Sequence, residues 1–366
     1  MASISERENW EIEAANSFGN VPVVFIHGLW LLPGSWASWV DFFRQAGYAA
    51  LAPDWPDDPD TVEQARANPG VLARKTLEQV ADHTTEIIDA LDNKPAVMGH
   101  STGGLLAQML AGRGLSAATV AIDPGIFRGV LPLPASVLRG VGAFLVNPLT
   151  RGRAITLTFG QFTYSWANAL GEKEAKELYD RFHVAGSGMS LVQMGNANLN
   201  PWTEAKVNTA NPRRGPLLII DGADDHTVPW AIANAAYQRQ RRNPAVTEIV
   251  KMPNRGHSLT IDHGWREVAQ TALDFVNRSP DEAADRPRLV RAGSDDFSAR
   301  PTEVLLLEGG THGRHRSTQH QPRHERRQRR YARRGQAHRG CGIPQFGADV
   351  QALGMGHAGR PRPGHL

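Results

Sequence analysis

One serine of this chain has the sequence setting of a nucleophile. Ser101 is the centre of a Gly-x-Ser-x-Gly sequence at residues 99–103, with an apolar run before it and a helix-forming run after it. The two glycines leave room where a Cβ would collide with a neighbouring strand or helix. The sequence therefore predicts a strand, a sharp turn that holds Ser101 strained and exposed at the edge of a sheet, and a helix.

A serine hydroxyl needs a base to accept its proton and a carboxylate to orient that base. Downstream of Ser101, a short apolar run at residues 217–220 is followed by a loop that contains Asp225. A second run at 247–252 alternates like a strand and precedes a loop that contains His257. We predict that Asp225 is the acid and that His257 is the general base.

Attack on an ester carbonyl creates negative charge on oxygen, which preorganised N–H groups must stabilise. Residues 21–26 have the pattern of a buried strand, and His27, Gly28, Leu29 and Trp30 follow directly. The turn around Ser101 supplies one donor, the backbone N–H of Thr102. We predict that the other donor is the backbone N–H of Leu29.

With these residues in place, the chain resembles the α/β-hydrolase superfamily, and within it the esterase and haloperoxidase-like branch. The resemblance spans about residues 20–278, and the order serine, acid, histidine is that of this fold. It rests on four elements: His27-Gly28-Leu29, the turn around Ser101, the Gly-x-x-Asp-x-x-Val-Pro loop that ends at Pro229, and Gly256-His257. The chain departs from the pattern at Ala223, where superfamily members often carry Glu.

Two other aspartates are candidates for the acid. Asp224 is the immediate neighbour of Asp225. Asp123 follows the apolar run 118–122, a position at which some members of the superfamily carry their carboxylate, although it also fits a strand end before the turn at Pro124. We favour Asp225 over both.

Three further histidines are interpreted as structural. His226 is adjacent in sequence to the predicted acid and fits a loop residue. His100 is expected to pack beneath the turn that carries the nucleophile, and His27 to brace the oxyanion loop through hydrogen bonds. None of them has the position after the last strand at which this fold delivers its base.

Apolar strands alternate with helical runs over most of the chain, which predicts one mostly parallel sheet flanked by helices. The resemblance implies an α/β-hydrolase fold with a helical cap insertion where this alternation stops. Helices are expected at 36–45, 77–91, 105–112, 232–241 and 267–276. The predicted divisions are an N-terminal segment at 1–20, a core at 21–124 and 213–279, a cap at 125–212 and a tail at 280–366.

The tail differs from the rest of the chain in composition. Residues 280–366 contain 16 arginines, no lysine and 9 acidic residues, whereas residues 1–279 contain 24 basic and 28 acidic residues. We expect the tail to be largely disordered. It could be a nucleic-acid or membrane-binding arm, a metal-binding histidine tract or a non-native extension from GC-rich DNA, and arginine without lysine favours the last.

The composition also bounds partners and cofactors. The mildly acidic body shows no basic stripe for nucleic acid, and the chain has no apolar stretch long enough to cross a bilayer. Without an apolar leader, and with Cys341 as the one cysteine, we expect a cytoplasmic protein that has neither a disulfide nor a cysteine nucleophile. The prolines around Asp54, Asp57, Asp58 and Asp60 indicate a rigid, solvated loop rather than a metal site, so no metal or other cofactor is expected.

The predicted activity is hydrolysis of carboxylic esters through an acyl-enzyme. Trp30, Phe159 and Phe162 are candidate pocket residues, and a pocket lined by them favours a short to medium apolar acyl or aryl ester. A cofactor-free perhydrolase, a thioesterase, a lactonase or a carbon–carbon bond hydrolase would use the same three residues. A non-catalytic ligand-binding protein on this fold is the more remote alternative.

Overall fold

Six parallel strands form the central sheet of the protein in this computed structural model, which describes residues 3–142, 144 and 147–279. The predicted tail at 280–366 lies outside the described residues. The described strands, including two outside this sheet, are β1 (Pro22–Ile26), β2 (Ala49–Leu51), β3 (Ala96–His100), β4 (Ala118–Ile122), β5 (Ala154–Ile155), β6 (Gly186–Ser187), β7 (Leu217–Gly222) and β8 (Thr247–Met252). The sheet order is β2-β1-β3-β4-β7-β8, while β5 and β6 form a separate antiparallel pair.

The four inner strands are continuous apolar runs because helices cover both faces of the sheet. Every residue of β1, β3, β4 and β7 is buried, whereas the edge strand β8 is mostly half-buried. Parallel pairing places the carboxyl ends of all six strands at one edge. The loops after β1, β3, β4, β7 and β8 therefore meet at that edge.

Helices follow the strands as the sequence predicts, which confirms the α/β-hydrolase fold class. The described helices are α1 (Glu6–Phe18), α2 (Ala37–Gln45), α3 (Val62–Ala67), α4 (Leu77–Ala90), α5 (Thr102–Gly112), α6 (Ala135–Val137), α7 (Phe159–Ser165), α8 (Glu172–Phe182), α9 (Gly188–Gly195), α10 (Trp230–Gln240) and α11 (Trp265–Arg278). Shorter helical turns lie at Pro33–Trp36, Pro69–Leu72, Leu138–Gly142 and Pro148–Gly152.

The helix directly after Ser101 is the most deeply placed. All eleven residues of α5 are buried, and α5 packs against β3 and β4. Neighbouring α4 is capped by Thr76, whose side chain accepts from the amide of Gln79 at 3.2 Å. Because α5 is buried along its whole length, Ser101 directly before it is attached to a rigid part of the core.

The segment 125–212, between β4 and β7, contains α6 to α9 and the β5-β6 pair. Apolar side chains of this segment contact the core, among them Trp166, which packs against His257, and Met194, which contacts Thr102. This segment coincides with the predicted cap insertion, and its role as a cap stays a prediction.

Candidate active site

Ser101 lies in a strained turn between β3 and α5. Its φ is 57° and its ψ is −120°, a conformation that L-residues rarely adopt. A Cβ on Gly99 would collide with the backbone of Gly103, and a Cβ on Gly103 would collide with the backbone of Ile26. The two glycines are therefore required for β3, the turn and α5 to approach this closely, as the sequence predicts.

Ser101, His257 and Asp225 form a continuous hydrogen-bonded chain. The Oγ of Ser101 lies 2.9 Å from Nε2 of His257, and Nδ1 of His257 lies 2.6 Å from Oδ2 of Asp225. A carboxylate only accepts, so Nδ1 carries the proton and Nε2 accepts from the serine hydroxyl. This arrangement can remove a proton from Ser101, whereas Nδ1 of His226 lies 2.9 Å from the carbonyl oxygen of Tyr164.

The carboxylate of Asp225 is held in place by two backbone amides. Its Oδ1 accepts from the amide of Thr227 at 2.6 Å and from that of Val228 at 2.9 Å. This leaves Oδ2 for His257. The neighbouring Asp224 is exposed, and its backbone rather than its side chain holds the loop, through its amide and the carbonyl of Arg255 at 2.9 Å.

Two aromatic rings pack around the His257 imidazole. The centroid of Trp166 lies 4.7 Å from it at an interplanar angle of 85°, and the centroid of His100 lies at 4.7 Å. Nε2 of His100 donates to the carbonyl of His257 at 2.9 Å. Burial and the charge of His257 hold the pKa of His100 well below its usual range, so His100 is a neutral support, as predicted.

Two more buried carboxyls lie behind Asp225. Asp123 accepts from the amide of Gly222 at 2.8 Å through Oδ1, while its Oδ2 lies 3.8 Å from Nδ1 of His257, beyond hydrogen-bonding distance. Burial, together with the charges of Asp225 and Asp221, raises the pKa of Asp123 well above its usual range. Burial and the charge of Asp225 raise the pKa of Asp221 to about 8. Asp225 is therefore the carboxylate in contact with the imidazole.

The predicted oxyanion donors flank Ser101, and both lie beside a common cavity. A Cβ on Gly28 would lie 2.8 Å from the Cβ of Ser101, which shows how closely the two loops approach. Within the described residues, neither the Leu29 amide nor the Thr102 amide donates a hydrogen bond. Both amides are therefore available to donate to an oxygen atom bound in this cavity, which is what the predicted oxyanion hole needs.

Each of these two amides belongs to a peptide group whose carbonyl is anchored. The carbonyl of Ser101, in the same peptide plane as the Thr102 N–H, accepts from the amide of Gly125 at 2.8 Å. The carbonyl of Gly28, in the same plane as the Leu29 N–H, accepts from Nδ1 of His27 at 2.9 Å. His27 therefore braces the oxyanion loop, as predicted.

A buried ion cluster holds His27 in turn, and it corrects the expectation of a solvated acidic loop. The Asp58 side chain is only 2% exposed, and it contacts Nε2 of His27 at 3.0 Å and the amine of Lys75. Burial alone would raise the pKa of Asp58, but the hydrogen bonds and charges of His27 and Lys75 lower it. Asp58 differs from its exposed neighbour Asp57 because its side chain turns inward beneath the oxyanion loop.

A family model for alpha/beta hydrolases matches residues 23–271, more than half of the chain. The chain belongs to the alpha/beta hydrolase family. A pyrethroid hydrolase from Sphingobium faniae is 19% identical, with a TM-score of 0.50 over 70% of this chain and 98% of its own. An extracellular alpha/beta-hydrolase from a Paenibacillus species is 18% identical, with a TM-score of 0.50 over 71% and 100%. No curated protein sequence matches the chain.

In this alpha/beta hydrolase, an apolar cavity lies directly beside Ser101. It is lined by Leu29, Trp30, Ser101, Thr102, Gly125, Ile126, Val137, Val141, Leu191, Met194, Thr227 and Val228. Trp30 occupies the predicted position on the cavity wall, and its Nε1 donates to the carbonyl of Ile155 at 2.9 Å. Aliphatic side chains make up most of the remaining wall, so the cavity suits an apolar group.

The two other predicted pocket residues lie away from this cavity. Phe162 is buried and stacks on Trp166 at 5.9 Å, while Phe159 packs against Tyr179 at 5.6 Å. Their rings form the interior of the 125–212 segment because α7 turns them toward α8. Trp166, which contacts His257, is the aromatic residue of this segment that reaches the site.

One cluster within the described residues offers three metal-ligating side chains, His100, Asp123 and His257. Their ligand atoms lie within 4.8 Å of one another. Nδ1 of His257 already donates to Asp225, so an ion there would have to displace that hydrogen bond. The cluster therefore fits the proton-transfer arrangement better than a metal centre.

Among the described helices of this family member, none is both long and apolar enough to cross a membrane. The assignment to the esterase and haloperoxidase-like branch and the cytoplasmic location stay predictions.

Proposed function

We propose that this protein is a serine hydrolase that cleaves carboxylic esters with apolar acyl or aryl groups through an acyl-enzyme. The observation that carries the proposal is the unbroken chain from the Oγ of Ser101 through His257 to Asp225. Two unpaired amides beside the same serine supply the stabilisation that a tetrahedral intermediate needs.

In the first half-reaction, Nε2 of His257 accepts the Ser101 proton as Oγ bonds to the ester carbonyl carbon. The carbonyl oxygen becomes an oxyanion against the N–H groups of Leu29 and Thr102. His257 then gives its proton to the departing alcohol oxygen as the carbon–oxygen bond breaks, leaving an acyl group on Ser101.

In the second half-reaction, His257 removes a proton from water while the water oxygen attacks the acyl carbon. The tetrahedral intermediate collapses, releasing a carboxylic acid and returning the proton to Ser101. Asp225 stabilises the imidazolium in both halves and is not itself protonated. Because each amide donor contributes about 3 kcal/mol to lowering the barrier, loss of either N–H would slow both halves.

The walls of the cavity support an apolar substrate. Within the cavity lining, Val137, Val141, Leu191 and Met194 carry no charged group, so a charged acyl chain would lose hydration without gaining a partner. We therefore assign the cavity to an acyl or aryl group rather than to a charged metabolite.

The test is hydrolysis of p-nitrophenyl esters of increasing acyl length by the wild type and by Ser101→Ala. We expect wild-type turnover that depends on acyl length and falls by at least roughly 10⁴-fold in the variant. Circular dichroism should show the same melting for both proteins, since the substitution removes one oxygen. Turnover retained near the wild-type level by Ser101→Ala would overturn the assignment.

A further inference from the structure

Large apolar side chains are exposed on two loops of the 125–212 segment. Leu131 is 74% exposed, Leu199 is 82% exposed and Trp202 is 85% exposed. Leu133, two residues beyond Leu131, is 47% exposed. We call these four residues the Leu-Trp patch.

Hydrogen bonds join the two loops into one surface. The Asn198 side chain accepts from the amide of Gly129 at 2.7 Å and donates to the carbonyl of Val130 at 2.7 Å. Nη1 of Arg128 donates to the carbonyl of Pro201 at 2.6 Å. The residue before Leu131 is therefore hydrogen-bonded to the residue before Leu199, and Arg128 ties the same loop to the residue before Trp202.

Basic side chains outnumber acidic ones in the segment that carries the Leu-Trp patch. Residues 125–212 contain five arginines and three lysines against five acidic residues, of which Glu204 lies nearest to Trp202 in the sequence, whereas residues 1–279 as a whole carry more acidic than basic residues. The arginines are Arg128, Arg139, Arg151, Arg153 and Arg181. Within the described residues none of the five forms an ion pair, which leaves their charge for an external anion.

The two loops of the Leu-Trp patch belong to stretches of chain that also line the cavity beside Ser101. Ile126 and Val137 lie on either side of Leu131 and Leu133 in the sequence and contribute to the cavity wall. Met194, from the C-terminal part of α9, also lines the cavity and is followed in the chain by the loop of Leu199 and Trp202. The exposed patch and the cavity are therefore built from continuous pieces of backbone.

We propose that the Leu-Trp patch and its arginines form a docking surface for an anionic lipid layer. Tryptophan and leucine side chains partition into the headgroup boundary of a bilayer, and arginine pairs with lipid phosphate. The excess of basic over acidic side chains in the segment matters because carboxylates would repel a negatively charged surface. Such peripheral contact needs no spanning helix, and it would add a lipid partner that the sequence does not predict.

The inference also names a source of substrate, and this part rests on the proposed ester hydrolysis. A cavity lined by the same stretches of chain that carry a lipid-bound surface would receive apolar esters from the lipid layer. Esters dissolved in lipid are therefore expected to be hydrolysed faster than the same esters on neutral carriers.

The test is co-sedimentation of the full chain with vesicles of phosphatidylcholine, with and without phosphatidylglycerol. We expect binding to the anionic vesicles only, weakened by salt because the arginine contacts are screened. Leu131→Ser combined with Trp202→Ser should lower the partition constant on the order of tenfold or more. The matched control is Trp10→Ser, which replaces a tryptophan of α1 that is 65% exposed and should bind as the wild type does.

Three results would overturn the docking surface. One is anionic-vesicle binding that the double variant leaves unchanged, which would place the contact elsewhere in the chain, such as in the arginines of 280–366. Another is an equal loss in Trp10→Ser. The third is a wild type that self-associates in sedimentation velocity but does not bind vesicles, together with a double variant that no longer self-associates. That result would make the patch an interface between copies of this chain.

Ester turnover separates this inference from the proposed function. The double variant should hydrolyse a water-soluble p-nitrophenyl ester at the wild-type rate, whereas Ser101→Ala should bind vesicles as the wild type does and hydrolyse no ester. If Ser101→Ala keeps its turnover, the proposed function fails while the vesicle result stands. If the double variant binds as the wild type does while Ser101→Ala loses turnover, only the docking surface fails.

Discussion

Two groups of buried titratable side chains lie near Ser101, one behind the base and one beneath the oxyanion loop, and their balance of acidic and basic groups differs. On the side of the base, three carboxyls, Asp123, Asp221 and Asp225, lie close together behind His257. On the side of the oxyanion loop, one carboxyl, Asp58, lies between His27 and the amine of Lys75. The first group has a surplus of carboxyls, and the second pairs its carboxyl with basic groups.

This difference separates two physical roles. The charge of Asp225 acts directly on the imidazole that moves the proton, through a contact of 2.6 Å. Asp58 instead acts through His27 on the orientation of a peptide group, the one that presents the Leu29 N–H. Removing the first carboxylate should therefore cost more turnover than removing the second.

The largest effect in this comparison is expected from Asp225→Asn. An amide at this position can stabilise the wrong tautomer of His257, which then no longer accepts the serine proton. We expect kcat for a soluble p-nitrophenyl ester to fall by roughly 10³-fold to 10⁴-fold. Steady-state kinetics at neutral pH measures the fall.

Two matched variants test the assignment of the acid. Asp224→Asn changes an exposed neighbour and should leave kcat unchanged. Asp123→Asn should cost less than about tenfold, because its Oδ2 lies beyond hydrogen-bonding distance of His257. A large loss confined to Asp123→Asn would mean that Asp123, not Asp225, is the acid.

An intermediate effect is expected from Asp58→Asn. Both ring nitrogens of His27 face acceptors, so the pair of hydrogen bonds that fixes the Gly28 carbonyl depends on the Asp58 carboxylate. We expect kcat to fall by roughly tenfold to hundredfold, since one oxyanion donor is displaced rather than removed. Asp57→Asn, at the exposed neighbouring aspartate, is the matched control, and an equal loss in both variants would contradict the role of the buried cluster.

The smallest effect on turnover, and a distinct effect on stability, is expected from Asp221→Asn. Folding raises the pKa of Asp221 from 3.8 to about 8. At a pH between these two values, the folded protein keeps a proton on this carboxyl that the unfolded chain has released. This carboxyl therefore lowers the stability of the fold progressively as pH rises from about 4 to about 8. We expect the melting temperature of the wild type to decrease more between pH 5 and pH 9 than that of the variant, and a parallel pH dependence would refute the assignment.

The sequence predicted the parts of the site that local chemistry specifies. The turn around Ser101 requires glycines because a Cβ at Gly99 or Gly103 would collide with neighbouring backbone. A loop that follows a buried strand places its carboxylate or histidine at the same edge of the sheet. The relevant information lies within a few residues of each functional group. The alternation of apolar strands and helices predicted a mostly parallel sheet flanked by helices, and the resemblance to the superfamily implied the α/β-hydrolase fold.

The remaining features depend on contacts that are distant in the chain. Lys75 and Asp58 meet because α4 begins beside the acidic loop, which no spacing in the sequence indicates. Phe159 and Phe162 were assigned to the pocket by composition. In the structure, both side chains lie on the face of α7 that packs against Tyr179 of α8, within the 125–212 segment. Only packing distinguishes an aromatic residue of a cavity wall from one of a core.

The central claim is that Ser101 is a nucleophile activated by His257, and reaction with a fluorophosphonate tests it most directly. Peptide mass spectrometry of the labelled wild type should find one adduct, on Ser101. The adduct should be absent from Ser101→Ala and should form much more slowly in His257→Ala. An adduct on another residue, or none in a folded protein, would contradict the account.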